Sequence, residues 1–108
     1  MTRAKLFEIL RGAVPGLQRM VRADADVDAV IYKEEYSPRN DARTADLTLS
    51  VAIPVPRALD ALEDDPRAIA LREACCSNGL AYAQTLAPDE SWGCPVYAIT
   101  ITCQRITG

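Results

Sequence analysis

The sequence predicts an α+β fold with two layers, a mainly antiparallel β-sheet packed by one long helix, in the order helix-strand-strand-helix-strand-strand. Two stretches, 45–55 and 95–106, alternate apolar and polar residues with the period of a strand that has one buried face. Between them, a helical segment begins at Asp65 and stops at Gly79. Strands joined by loops favour antiparallel hairpins, and a helix then covers their apolar face.

The length and composition indicate one domain spanning residues 1–108. Hydrophobic residues make up 49% of the chain and charged residues 25%, which leaves little room for a long disordered tail. The apolar runs are too short for a membrane span or a signal peptide. We therefore expect a protein that acts inside a cell and has no membrane partner.

The first predicted element is a short amphipathic helix. Residues 5–11 place Leu6, Ile9 and Leu10 on one helical face, and Pro15 follows in a stretch that ends the helix. This segment supplies one apolar stripe for a core.

The second predicted element is a strand over 27–36, where β-branched and aromatic residues are frequent. Simple alternation places Val30, Tyr32 and Tyr36 on one face. Residues 37–44 then form a loop by their Pro and Asn-Asp turn chemistry.

The strand over 45–55 has the clearest alternation in the chain, and Pro54 predicts that its far end lies at a sheet edge. After it, residues 58–62 suit a first helical segment. A second follows the cap at Asp65 and Pro66 and stops at Asn78 and Gly79. The expected inner stripe of the second segment consists of Ile69, Ala70, Ala74 and Cys76.

The segment 80–86 either continues the helix or forms a third strand. We favour the strand, with Leu80, Tyr82 and Leu86 on one face, because Gly79 is a good helix stop. The last strand then alternates Tyr97 with polar neighbours on the opposite face.

One stretch has the spacing of a calcium loop. Asp24, Asp26, Asp28 and Glu35 occupy its first, third, fifth and twelfth places, but the sixth place, normally Gly, is Ala29. In an extended strand the third Asp and the Glu lie roughly 23 Å apart at about 3.3 Å per residue. We therefore interpret the acidic run as the polar lead-in to a strand.

Residues suited to catalysis or cofactor binding are few. The chain has no histidine, which removes the usual general base, and its five glycines are scattered and form no phosphate loop. We therefore predict that the protein is not an enzyme and needs no cofactor or metal.

The cysteines are interpreted as small buried hydrophobes plus one loop cysteine, Cys94; a zinc site and a disulfide are the alternatives. The full set is Cys75, Cys76, Cys94 and Cys103.

Charge is distributed unevenly, and this indicates candidate contacts. The net charge is -3, which argues against nucleic-acid recognition, yet residues 1–22 carry five cations and one anion. Such asymmetry lets the basic end of one copy meet the acidic face of another, although solvated surface charge is the simpler interpretation. Trp92 either anchors a partner or packs over the sheet's end. The candidate contact residues are Arg3, Lys5, Arg11, Arg19, Arg22, Arg39, Asn40, Asp41 and Trp92.

The order of KLFEILRGAVPGL, LTLSVAIPVP, RALDALEDD and YAITITCQRI resembles the tail-terminator and neck proteins of long-tailed bacteriophages. The resemblance implies an α+β subunit that forms a homo-oligomeric ring, commonly hexameric, and has no catalytic residues. It also implies that the ring caps the tail tube, joins it to the head-connector proteins, and belongs to the tail or neck of a virion assembled in the host cytoplasm.

Two other classes stay open. One is a small intracellular binding or regulatory module that dimerises through its sheet. The other is a metal- or redox-active cysteine protein, which bound zinc or an acidic Cys94 thiol would support.

Overall fold

The α+β class is confirmed in a computed structural model that describes residues 1–19, 29–41, 43–54, 65–89 and 94–107. The predicted calcium-like aspartates, the helical segment 58–62, Arg22 and Trp92 lie outside the described residues. The elements are α1 (Arg3–Ala13), β1 (Leu17–Arg19), β2 (Ala29–Pro38), β3 (Ala45–Pro54), α2 (Pro66–Ser77), β4 (Ala81–Asp89) and β5 (Cys94–Ile106).

The strands form one five-stranded sheet in the order β1-β2-β3-β5-β4. The sheet is mixed, because β1 pairs parallel with β2 while the other three pairings are antiparallel. β1 was not predicted, since three residues are too few to show a period. β3 is a central strand; at its far end Pro54 pairs with Val96 of β5, whereas the described pairs with β2 end at Ala52.

The prediction of one long helix is wrong, because α1 has 11 residues and α2 has 12. Thr2 caps α1, where its hydroxyl accepts from the Lys5 N–H at 3.1 Å. Asp65 caps α2 as expected, and its carboxylate accepts from the Arg67 N–H at 2.8 Å. The two helices contact each other, and their buried residues join one core with the sheet.

The buried faces of both helices differ from the predicted stripes. In α1, Leu6 and Leu10 are buried as expected, with Phe7 beside them. In α2 the buried residues are Ala68, Leu71 and Cys75, whereas Cys76 is exposed. The predicted α2 stripe omitted Leu71, the largest side chain that this helix buries.

The predicted face of β2 is also wrong, because a β-bulge interrupts its alternation. Ile31 pairs with Val51 of β3, but the next pair is formed by Lys33, so Tyr32 is the extra residue. Beyond the bulge, Glu34 pairs with core residue Leu49 and therefore lies on the face that the helices cover. Tyr32 is 45% exposed and has no place in the core.

The prediction of a strand after Gly79 is confirmed. Leu80 is buried, and Tyr82 packs against the core from the helix-covered face of β4. The Tyr82 hydroxyl lies 3.2 Å from the Ala68 carbonyl oxygen of α2, which ties the strand to the helix.

The opposite face of the sheet carries small polar side chains along its central strands, as expected. Thr48 pairs with Thr102, and Ser50 pairs with Thr100. In contrast, Tyr97 faces the helices and is fully buried.

Candidate assembly surface

Two of the predicted contact cations converge on one carboxylate inside the molecule. Arg19 donates two hydrogen bonds to Glu34, from Nε at 2.8 Å and from Nη2 at 2.9 Å. Arg3 donates a third from Nη2 at 2.9 Å. The bulge in β2 places Glu34 on the helix-covered face, where α1 and β1 bring the two guanidinium groups.

Aromatic rings complete this arrangement, which we call the Glu34 cluster: Arg3, Phe7, Arg19, Glu34 and Tyr36. The Arg19 guanidinium lies 4.5 Å from the Phe7 ring centroid, and that of Arg3 lies 5.8 Å from the Tyr36 centroid. The hydrogen bonds from Arg19 lower the pKa of Glu34, and the same contact raises the pKa of Arg19. These two arginines therefore tie α1 and β1 to β2 within the subunit, while their side chains stay 35% and 40% exposed.

The other basic residues of α1 stay at the surface. Lys5 is exposed and lies 3.7 Å from Glu8, and Arg11 is exposed in the last turn. An exposed ion pair of this length contributes little to stability. Among the predicted cations of α1, Lys5 and Arg11 are therefore the exposed ones, whereas Arg3 is partly buried.

The predicted loop residues Arg39, Asn40 and Asp41 lie together at the tip of the β2–β3 hairpin. The Asp41 carboxylate accepts from the backbone N–H groups of Arg43 and Thr44, both at 3.0 Å. These bonds, with the Arg43 N–H first, lower the pKa of Asp41 to about 2. The hairpin tip is therefore a turn that side-chain to backbone hydrogen bonds hold in place.

Beside the tip is an open hollow of about 620 Å³. On its floor, Asp46 accepts from Arg39 Nε at 2.8 Å and from the Arg105 N–H at 3.1 Å. Arg105 has φ 56°, a left-handed conformation rare for residues other than Gly, Asn and Asp. The hollow is lined by Pro38, Arg39, Asn40, Asp41, Asp46 and Arg105.

A surface that the contact predictions missed is the outer edge of β4. This nine-residue strand pairs with β5 on one side, and no other described strand pairs with it. Residues 81–88 include no charged residue, although natural edge strands are commonly protected by charge. The uncharged run was visible in the sequence, but its edge position was not.

The sheet has a second open edge on the far side. β1 pairs with β2 only over Ala29–Ile31, so the rest of β2 has no described outer neighbour. This part of β2 is charged, and Lys33 lies 2.8 Å from Glu35 in an exposed ion pair. The two open edges thus differ in charge and lie on opposite sides of one sheet.

The buried cysteines behave as small hydrophobes. Burial raises the pKa of the Cys75 thiol to about 11 and also raises that of Cys103, so both thiols are protonated at neutral pH. Cys94 is the first residue of β5, so its predicted loop position is corrected. Within the described ranges, no three His, Cys, Asp or Glu residues form a group that could hold a metal ion.

In the part of the chain that the structure describes, neither helix has the length and hydrophobicity of a membrane-spanning segment. Comparisons with protein families, curated proteins and solved structures found no significant match.

Proposed function

We propose that this chain is a non-enzymatic structural assembly protein, a tail-terminator or neck component that forms a ring, caps a phage tail tube and joins it to the head connector. The observation that carries the proposal is the long, uncharged and open edge of β4. Such an edge favours pairing with another chain, since its backbone groups are a ready template for a further strand.

A ring requires two different surfaces on each subunit. In a head-to-tail contact, one surface of each subunit binds the other surface of its neighbour, and the ring closes when the last subunit meets the first. The open edges of β4 and β2 supply such a pair. The hairpin tip, with Arg39, Asn40 and Asp41, and the exposed cations Lys5 and Arg11 are then left to contact the tail tube or the connector. Function in this proposal comes from complementary surfaces and not from a reactive group.

The test is the native mass of the purified protein over a wide concentration range, measured by light scattering after size exclusion, with and without isolated tail tubes. We expect ring-sized particles, or a monomer that forms rings when tubes are added, and ring shapes in negative-stain images. A stable dimer that ignores tubes contradicts the proposal and favours a dimeric binding module.

A further inference from the structure

We propose that the outer edge of β4 pairs with the outer edge of β2 of a second copy of this chain, so that the sheet continues from subunit to subunit. This inference rests on the proposed ring assembly and names the interface that builds it. The backbone geometry of the two edges carries it.

A pair of prolines shows which backbone groups of β4 point away from β5. Pro88 of β4 pairs with Pro95 of β5, and proline has no N–H, so these two residues do not exchange ladder hydrogen bonds. In an antiparallel ladder, bonded and non-bonded pairs alternate. Leu86, Gln84 and Tyr82 are therefore also in non-bonded pairs, and their N–H and C=O groups point away from β5.

The same argument applies to β2. The Arg39 N–H donates to the Thr44 carbonyl oxygen at 3.0 Å, so these two residues form a hydrogen-bonded pair. The adjacent pair, Pro38 with Ala45 of β3, is therefore a non-bonded pair. Counting back by twos, Tyr36 and Glu34 are also in non-bonded pairs. Their backbone N–H and C=O groups point away from β3, toward the open side of the sheet.

The directions of the two strands also match. β2 is antiparallel to β3, and β3 and β4 are both antiparallel to β5, so β2 and β4 run in opposite directions. A neighbouring copy in the same orientation therefore presents its β2 antiparallel to β4. A donor and an acceptor recur at every second residue over 82–86 of β4 and 34–36 of β2, which is the spacing of an antiparallel ladder.

Charge permits this pairing. Lys33 and Glu35 neutralise each other at 2.8 Å, and Glu34 is neutralised by Arg3 and Arg19. The edge of β4 brings no charge over residues 81–88, so no like charges meet. A β4 edge paired with itself would close a dimer and leave the β2 edge unused, whereas a β4–β2 contact propagates.

The decisive variant is Gln84→Pro. It removes one outward N–H and adds a ring at the interface, while the donors that bond β5 remain. The matched control is Gln84→Ala, which keeps the N–H but loses the side-chain contact of 2.6 Å with the Tyr82 hydroxyl. We expect Gln84→Pro to raise the concentration for half-assembly by about tenfold or more, with Gln84→Ala near the unmodified protein.

Tyr36→Pro makes the same change on the other edge, with Tyr36→Ala as its control. Each proline variant alone should be monomeric at concentrations where the unmodified protein assembles. Mixed in equal amounts they should form a one-to-one heterodimer, because each retains the edge that the other lacks. A Tyr36→Pro variant that still self-associates, with no heterodimer in the mixture, would overturn the β4–β2 pairing.

Circular dichroism establishes whether each variant is folded. If Gln84→Pro is not, Ala83→Lys replaces it, because this exposed side chain is on the face away from the helices and a lysine there protects an edge. Folded variants that assemble like the unmodified protein overturn the inference and leave the ring proposal standing. An unmodified protein that forms no ring, even with tail tubes, overturns the proposed function itself.

Discussion

At the scale of single residues, one carboxylate organises the contact between α1, β1 and β2. Glu34 accepts three hydrogen bonds from Arg3 and Arg19, and its side chain is only 14% exposed. Bidentate, charge-assisted hydrogen bonds at a partly buried site are stronger than exposed ion pairs. The position of Glu34 depends on the extra residue Tyr32, which shifts the alternation of β2.

We expect Glu34→Gln to lower the free energy of unfolding by about 1–3 kcal/mol, because two arginines lose their shared anion. Glu35→Gln is the matched control, since Glu35 is 60% exposed in its pair with Lys33, and its cost should stay below about 0.5 kcal/mol. Urea unfolding of the two variants measures the difference. Equal costs would show that the Glu34 cluster contributes no more than a surface pair.

At the scale of elements, the ends of α2 are set by local chemistry. Asp65 caps the first turn of α2. Just after the last turn, the Leu80 N–H donates to the Cys75 carbonyl oxygen at 2.9 Å. Gly79 makes this ending possible because its φ is 68°, where a side chain is strained. The chain then enters β4 at Ala81, so the segment after Leu80 is a strand and not more helix.

Two glycine substitutions should change stability in opposite directions. Gly79→Ala should lower the free energy of unfolding by about 1 kcal/mol, because alanine is strained at positive φ. Gly12→Ala, in α1, should raise it by about 0.5–1 kcal/mol, since an added Cβ meets nothing within 4 Å and alanine favours the helix. Thermal and urea unfolding measure both, and a shift of the same sign in both would contradict this account of the two positions.

At the scale of the whole molecule, three carboxylates of the β2–β3 region have lowered pKa values. The pKa of Glu34 is lowered by Arg19, that of Asp46 by Arg39, and that of Asp41 to about 2 by the hairpin backbone. Each group has a lower pKa folded than unfolded, so each contributes stability above its unfolded pKa. That contribution is lost as the pH falls through the folded pKa.

We therefore expect the free energy of unfolding to decrease as the pH falls from about 5 to about 2. Asp41→Asn should flatten the lowest part of this profile, because the pKa of Asp41 drops from 3.8 to about 2 on folding. Glu8→Gln, at an exposed carboxylate of α1, is the control for the loss of one surface charge. A profile that Asp41→Asn leaves unaltered would contradict the role of the hairpin turn.

The order of the strands also belongs to this scale, and it decides which surfaces remain for assembly. β3 and β5 occupy the centre, while the uncharged β4 and the charged part of β2 each keep an open side among the described strands. Charge reversal of Arg19 would first disrupt the Glu34 cluster and so would not test assembly alone. The sheet edges give a cleaner test, because no described strand pairs with the outer side of β4 or with β2 beyond Ile31.

Residues whose signal is local were predictable from the sequence. Alternation within a few neighbouring residues predicts strands β3 and β5. The cap at Asp65 follows from its hydrogen-bonding capacity, and the stop at Gly79 follows from the backbone angles that glycine permits. Cys103 was likewise assigned correctly to a buried face by its place in an alternating strand.

Other features were decided only by tertiary structure. Three residues, Leu17–Arg19, become a strand because β2 lies beside them, and Glu34 faces the helices because a bulge adds one residue. Alternation fixes which residues share a face but not where an irregularity resets it, nor which strand lies outermost. Pairing between distant segments sets both the position of a bulge and the order of the strands. The sequence by itself therefore determined the α+β class and most element positions, whereas the Glu34 cluster and the open edge of β4 arose from the assembled sheet.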